Sequence, residues 1–371
     1  MLDWDTSRKS LPNQPNFMTR GMIDASVAAA GAMLNRVCGT AYGKRLNYDS
    51  GRLTKGDIAV LRFLAAVELI ECDLWQQYEE LGGVTQGSQN SYQLALQFLD
   101  SHGSQYITSN TLDEISHATY LNVYLESEGA DPVNFDRFRN LRGSTVTGAQ
   151  NIGRLTNLMH LDMDTDWYLR YRILEDPNFG TSFPRVVRIV NRQSIPRTDA
   201  ECDDPQHVQA IANTAAFHFG YIEHAGSSLY ASFSHKLRRA AVLKVALGIG
   251  GDEIGHFLAW VDFAGSAIQG SPFKFLDAQS SVANQDMTFP CSNRKPSGPI
   301  CQTCLSFPVP GDVMNKSVAC RTVIGQLDDQ FSGAVATINS FTRNGLLVGQ
   351  SPEFMHTLMQ MAEDADGAIR K

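Results

Sequence analysis

The chain has 371 residues, 43% of them hydrophobic, which is enough for one large domain or two ordinary ones. Its 31 Lys and Arg against 39 Asp and Glu leave a net charge of −8, and an acidic, patternless surface argues against nucleic acid as the main partner. No long charge block and no apolar run of about 18 residues occurs, which excludes large-scale disorder and a membrane-spanning helix.

In chain order, residues 22–34 come first, Ala-rich and preceded by basic residues. Asp24 interrupts the apolar part and the polar lead-in is long, so the pattern fits an amphipathic helix better than a targeting segment. Residues 57–81 form a long apolar-striped helix, with Thr54 as N-cap and Gly82-Gly83 as its stop. A shorter helix covers 91–99. The next spans 111–128, with Thr111 as N-cap, Asp113 and Glu114 in its first turn and Gly129 as stop. Two more long helices are expected over 206–233, after Asp204-Pro205, and over 234–267. The segment between them and the earlier helices, residues 130–205, is too long for a simple loop. It carries Trp167, Tyr168, Tyr171, Phe179 and Phe183, and only residues 186–190 suggest a short strand.

After the long helices, residues 270–318 are irregular and Pro-rich, followed by helices over 320–344 and 351–369. Of the seven cysteines, Cys38, Cys72 and Cys202 are scattered, whereas Cys291, Cys301, Cys304 and Cys320 cluster in the irregular stretch. Only Cys301 and Cys304 form a tight pair, so disulfides are favoured there over a four-Cys zinc site. Scarce Lys and the sequon Asn315-Lys316-Ser317 lean the same way, toward an exported, extracellular or periplasmic protein. The expected organisation is all-α and single-domain: a helical bundle over 54–267, an insertion over 130–205, and an extension over 268–371 packed on the bundle.

Acidic residues within apolar helices are the informative anomaly. Glu68 lies on the stripe of Leu61, Leu64, Cys72 and Trp75, and Glu223 follows Phe217, Phe219 and Ile222. Burying an unpaired carboxylate costs several kcal/mol, so something must hold each one. The other two long helices each carry Glu-x-x-His, as Glu114-x-x-His117 and Glu253-x-x-His256. Positions i and i+3 share a helix face, so each pair presents a carboxylate and an imidazole to one point. Random placement gives roughly 0.3 such pairs in a chain of this composition, by simple match counting. A third pair, Glu353-x-x-His356, opens a helix after Ser351-Pro352, where a Glu merely complements the dipole.

The order Glu, Glu-x-x-His, Glu, Glu-x-x-His is the ligand pattern of a carboxylate-bridged pair of metals inside four helices. Glu68, Glu114, His117, Glu223, Glu253 and His256 are the candidate ligands. Four carboxylates would neutralise two divalent ions, and oxygen-rich donors with one imidazole each suit iron or manganese. Buried Glu–His pairs without metal remain the bland alternative. Glu71, with Tyr78 seven residues later, competes with Glu68 for the place on the first helix.

The stretch from Asp57 through Glu68, Glu71, Asp73 and Trp75 resembles the first helix of the desiccation-related ferritin-like proteins. Glu223-His224-Ala225-Gly226 with Tyr230 is similar to their third helix, and the two Glu-x-x-His pairs to the second and fourth. The resemblance implies a ferritin-like four-helix bundle, the six ligands above, two ions of iron and/or manganese, and Tyr230 as the catalytic residue. Trp75 departs from it, standing where a Tyr is usual.

Two functions stay open at this level. One is an O2- or peroxide-activating oxidoreductase whose pocket is built by the insertion and extension, acting on a small-molecule oxidant or substrate. The other is a non-catalytic metal-binding, stress-protective protein. A homodimer is compatible with either. The run Gly248-Ile249-Gly250-Gly251 lacks the preceding strand of a phosphate loop and fits close helix packing better.

Overall fold

The computed structural model describes residues 52–84, 88–164, 188–269 and 333–369, all within one compact unit, Asp49–Lys371. The helix expected over 22–34, the aromatics Trp167 to Phe183, and the four clustered cysteines lie outside the described residues. Cys72 and Cys202 are described and are free, buried thiols.

The described chain is mostly helical. Helix α1 (Lys55–Gly82) is opened by Thr54, whose hydroxyl accepts the Asp57 N–H while the Asp57 carboxylate accepts the Thr54 N–H. Helix α2 (Asn90–Leu99) is short. Helix α3 (Gly103–Ser127) begins eight residues before the expected start, so Thr111 is not its cap. The Thr111 hydroxyl instead turns back to the Ile107 carbonyl at 2.8 Å and reaches the Trp75 carbonyl at 3.2 Å, as a Thr inside a helix does. Gly103 lets the first turn slide under Phe263, whose ring carbon would lie 2.6 Å from an added Cβ. At the other end Gly129 takes φ +78, and the Ala130 N–H bonds back to the Leu125 carbonyl, closing the helix where Gly was expected to stop it.

Helix α4 (Pro205–Ser234) has Asp204 as N-cap, with its carboxylate accepting the Gln206 N–H, and Pro205 in the first turn. Helix α5 (Ala240–Gln269) starts six residues later than the sequence suggests. The intervening turn has other bonds to make. The Arg238 N–H donates to Asp57, Leu237 is buried, and Arg239 pairs with Glu128 at 2.7 Å. Helices α6 (Ala334–Arg343) and α7 (Pro352–Asp366) follow, the latter capped by Ser351. None of the described helices is long and apolar enough to cross a membrane.

Helix α1 packs most extensively on α3, and α4 on α5, and the two pairs share one apolar core. Within it Trp75 stacks on Phe219 and on Trp260, with ring centroids 4.9 and 5.3 Å apart, and Phe219 tilts against Trp260 at 4.6 Å. Gly250 permits the α4–α5 approach, since a Cβ there would meet Tyr230 at 2.8 Å. Helix α7 buries Phe354, Leu358, Ala362 and Ala365, and it contacts α1 and α6.

The connection between α3 and α4 carries two small antiparallel ribbons. Strand β1 (Leu141–Arg142) pairs with β2 (Gly153–Arg154), and β3 (Leu161–Asp164) pairs with β4 (Arg188–Arg192). Its described part lies against the helices. Leu155, Leu158, Leu161 and Ile189 are buried in the common core. Asp73 of α1 accepts the Leu155 and Thr156 N–H groups at 2.9 and 2.8 Å, the Thr156 hydroxyl, and the Arg139 guanidinium at 2.6 Å.

Candidate metal centre

Each long helix contributes one carboxylate to a common interior point. Glu68, Glu114, Glu223 and Glu253 are each exposed by 1% or less. Glu114 and His117 come from one face of α3, and Glu253 and His256 from one face of α5.

These residues make two groups whose donor atoms lie within 4.8 Å of one another. In the first, His117 Nδ1 stands 3.5 Å from Glu68 Oε2, 3.3 Å from Glu114 Oε2 and 3.5 Å from Glu253 Oε1. In the second, His256 Nδ1 stands 3.3 Å from Glu114 Oε1 and 3.3 Å from Glu223 Oε2, with Glu253 completing the group. Glu114 and Glu253 belong to both. Glu114 turns one oxygen to each histidine, and the imidazole centroids are 6.1 Å apart.

The spacing fits metal ligation. Donors held about 2.1 Å from one ion stand roughly 3.0–3.4 Å from their neighbours, in octahedral or tetrahedral arrangement. The chemistry fits as well. Glu68 Oε2, Glu223 Oε2, both oxygens of Glu253 and His256 Nδ1 are buried and make no hydrogen bond. Native interiors seldom tolerate so many orphaned polar atoms at one point unless an ion or water takes them up. The buried Glu and His groups could therefore hold a metal ion.

Electrostatics record the same strain. Burial, and then the charge of Glu223, pushes the Glu114 carboxyl up to about 7. Burial and then Glu114 and Glu223 hold Glu253 well above the usual carboxylate range. For His117, burial opposes the charged form but the close carboxylates of Glu114, Glu253 and Glu68 outweigh it and raise the imidazole. Burial likewise opposes charge on His256, and Glu223, Asp113 and Glu114 overcome it.

Around the two groups stand residues that position them. The Tyr230 hydroxyl, from α4, donates to Glu68 Oε1 of α1, so it serves the His117 group. Asn110 donates to Glu114 at 2.8 Å and Glu223 at 3.1 Å, and is itself held by the Trp260 indole N–H at 2.7 Å. His256 Nε2 faces Asp113 at 3.3 Å, and His117 Nε2 faces Asp252 at 3.5 Å. A carboxylate behind a ligating imidazole fixes its tautomer and orientation.

Sequence reasoning missed these two aspartates and the Asn110–Trp260 pair. A signal for the aspartates was present: Asp113-Glu114-Ile115-Ser116-His117 and Asp252-Glu253-Ile254-Gly255-His256 are nearly the same pentapeptide. The Asp of each faces the His of the other. Nothing local in the sequence marks Asn110, which matters only through its contacts across helices.

Compared with known proteins, the chain matches no family model, no curated protein and no solved structure.

The structure brings all six candidate ligands together, with Tyr230 beside them. It does not bring Glu353 and His356. Both are exposed on α7, and Glu353 pairs with Arg137 on the surface at 3.1 Å. Glu71 is buried near the cluster but belongs to neither group of donors.

Proposed function

We propose that this protein is a ferritin-like four-helix carboxylate protein that holds two transition-metal ions, iron and/or manganese, and activates O2 or peroxide as an oxidoreductase. One observation carries the reading: two carboxylate–imidazole groups that share Glu114 and Glu253. Two adjacent ions would be held in common by Glu114 and Glu253. Glu68 and His117 would complete one ligand set, and Glu223 and His256 the other. Oxygen-rich donors with one imidazole apiece select iron or manganese over thiolate-seeking ions.

Such a pair of ions supplies reversible redox chemistry to a bound oxidant. The chain's own residues supply the rest. Tyr230 holds Glu68, Asn110 ties Glu114 to Glu223, and Asp113 and Asp252 orient the imidazoles. The stack that Trp75 makes with Phe219 and Trp260 adjoins the cluster through the Trp260 indole N–H, which holds Asn110. A second reading, metal holding without turnover in a stress-protective protein, is supported by the near-complete burial of all four carboxylates.

Elemental analysis of protein purified without added metal, followed by O2- and peroxide-consumption assays, tests both. Two ions per chain with consumption supports the oxidoreductase. Two ions without consumption supports the second reading. Failure to bind iron or manganese in metal-replete buffer overturns both.

A further inference from the structure

Five carboxylates, not four, are buried at the centre of this molecule. Glu71 lies one helical turn from Glu68 on α1 and is 1% exposed. Its Oε1 atom is fully buried and makes no hydrogen bond. Asp73, two residues on, shows how the same helix treats a buried acid that it needs for structure: it surrounds the acid with Arg139, two backbone N–H groups and a hydroxyl. Glu71 has no such cage.

Its direction is set by Gly226 of α4. A Cβ built on Gly226 would fall 2.2 Å from Glu253 Oε2 and 3.7 Å from Glu71 Oε1. The two carboxylate oxygens thus border one small space that only a glycine leaves open. Gly226 lies three residues after Glu223, as Glu71 lies three after Glu68. One helix places a carboxylate at that position and the other leaves room for it.

We propose that Glu71 is a seventh metal ligand, entering beside Glu253 on the face opened by Gly226, and that it biases the centre toward more highly charged ions. This rests on the two-metal reading above. The four other carboxylates already match two divalent ions. A fifth negative charge attracts a trivalent ion more strongly than a divalent one, because the interaction scales with the product of the charges. Glu71 therefore makes the centre asymmetric in charge as well as in ligand number.

The test compares wild type with Glu71→Gln, which keeps size and removes charge. Mn2+ binding is measured by titration and elemental analysis, and Tb3+ binding by its luminescence. The expected result is two Mn2+ per chain in both proteins. Tb3+ affinity should fall in the variant by roughly tenfold to a hundredfold more than Mn2+ affinity, the range seen when a group supporting a metal is lost. An unchanged ratio of Tb3+ to Mn2+ affinity would overturn the proposal and leave the two-metal reading standing. A wild-type chain that takes up neither ion would overturn both. Glu68→Gln is the control: it removes the same charge from a donor of the His117 group, so it should also lower Mn2+ binding to one ion per chain, which Glu71→Gln should not.

Discussion

Helix α1 buries acids on two of its flanks, and they are treated in opposite ways. On the flank facing the α3–α4 connection, Asp73 and Glu80 are each met by a guanidinium, although Glu80 Oε1 makes no hydrogen bond. Asp73 collects Arg139, two backbone N–H groups and the Thr156 hydroxyl, and Glu80 accepts from Arg154 at 2.5 Å and the Gln150 N–H at 2.9 Å. On the flank facing the other long helices, Glu68 and Glu71 keep oxygens that nothing in the chain bonds. All four are buried carboxylates. The difference lies in the counter-charge: a fixed arginine meets each acid on the first flank, whereas Glu68 meets only the Tyr230 hydroxyl and the titratable His117.

The sharpest way to break this comparison is to remove the shared carboxylates. Glu114 and Glu253 each serve both donor groups, so Glu114→Ala or Glu253→Ala should abolish binding of both ions. Glu68→Ala and Glu223→Ala touch one group each and should leave one ion bound, more weakly. Metal content after desalting measures all four. If each variant lost the same single ion, the two groups would not share ligands.

Asp73 should behave in the opposite sense. Asp73→Ala leaves Arg139 and two backbone N–H groups without their acceptor, and breaking a buried pair from one side costs about 3–5 kcal/mol. Denaturant melts of the metal-free protein should show that loss. Glu253→Gln under the same conditions should be neutral or stabilising, because the carboxylate it removes accepts no hydrogen bond, meets only His117 at 3.5 Å and is repelled by Glu114 and Glu223. A Glu253→Gln variant as unstable as Asp73→Ala would mean that both flanks are structural.

The two flanks also differ in how far the sequence announced them. Glu68, Glu114, His117, Glu223, Glu253 and His256 were legible because helical periodicity converts spacing directly into a shared face. The caps of α1, α4 and α7 were legible for a related reason, since Thr54, Asp204 and Ser351 act on backbone only three residues away or fewer. The start of α3 was not: Thr111 resembles a cap, but its hydroxyl is taken by carbonyls within its own helix and on α1. The break before α5 was not either, because Asp57, 181 residues earlier, accepts the Arg238 N–H. The role of Asp73 depends on chain 82 and 83 residues downstream, where no local pattern points back to it. Local rules reach as far as one helix, and tertiary partners decide the rest.

A third expectation sharpens the comparison through pH. His218 of α4 is buried on the Tyr78 side, its Nδ1 2.6 Å from the Tyr78 hydroxyl, which also donates to Ser194 of the α3–α4 connection. Burial pushes this imidazole down to about 3 from its ordinary 6.5. In the unfolded chain His218 takes up a proton near 6.5, and in the folded chain only near 3. Across that window the unfolded state binds more protons, so its contribution to stability is complete above 6.5 and is lost as the pH falls. Tyr78 is the titratable group facing it, and burial holds that hydroxyl neutral throughout the window. Melts of metal-free protein at pH 7 and pH 4 should differ by a few kcal/mol more in wild type than in His218→Asn. An identical pH response in the two proteins would show that this anchor carries no linked proton.

The smallest effect is expected where the same motif stands in a different context. Glu353-x-x-His356 has the spacing of the two interior pairs, yet both residues are exposed on the first turns of α7. Glu353 faces the helix dipole favourably and pairs with Arg137, with both side chains about two-thirds exposed. Exposed pairs of this kind contribute about 0–1 kcal/mol, because water already solvates both charges and two long side chains must be ordered to meet. Glu353→Ala should therefore lower stability by less than about 1 kcal/mol, less still at high salt, and leave metal content unchanged. Metal loss equal to that of Glu114→Ala would mean that spacing alone makes a ligand. The contrast between orphaned and answered carboxylates would then lose its force, because Glu353 has had water as its partner all along.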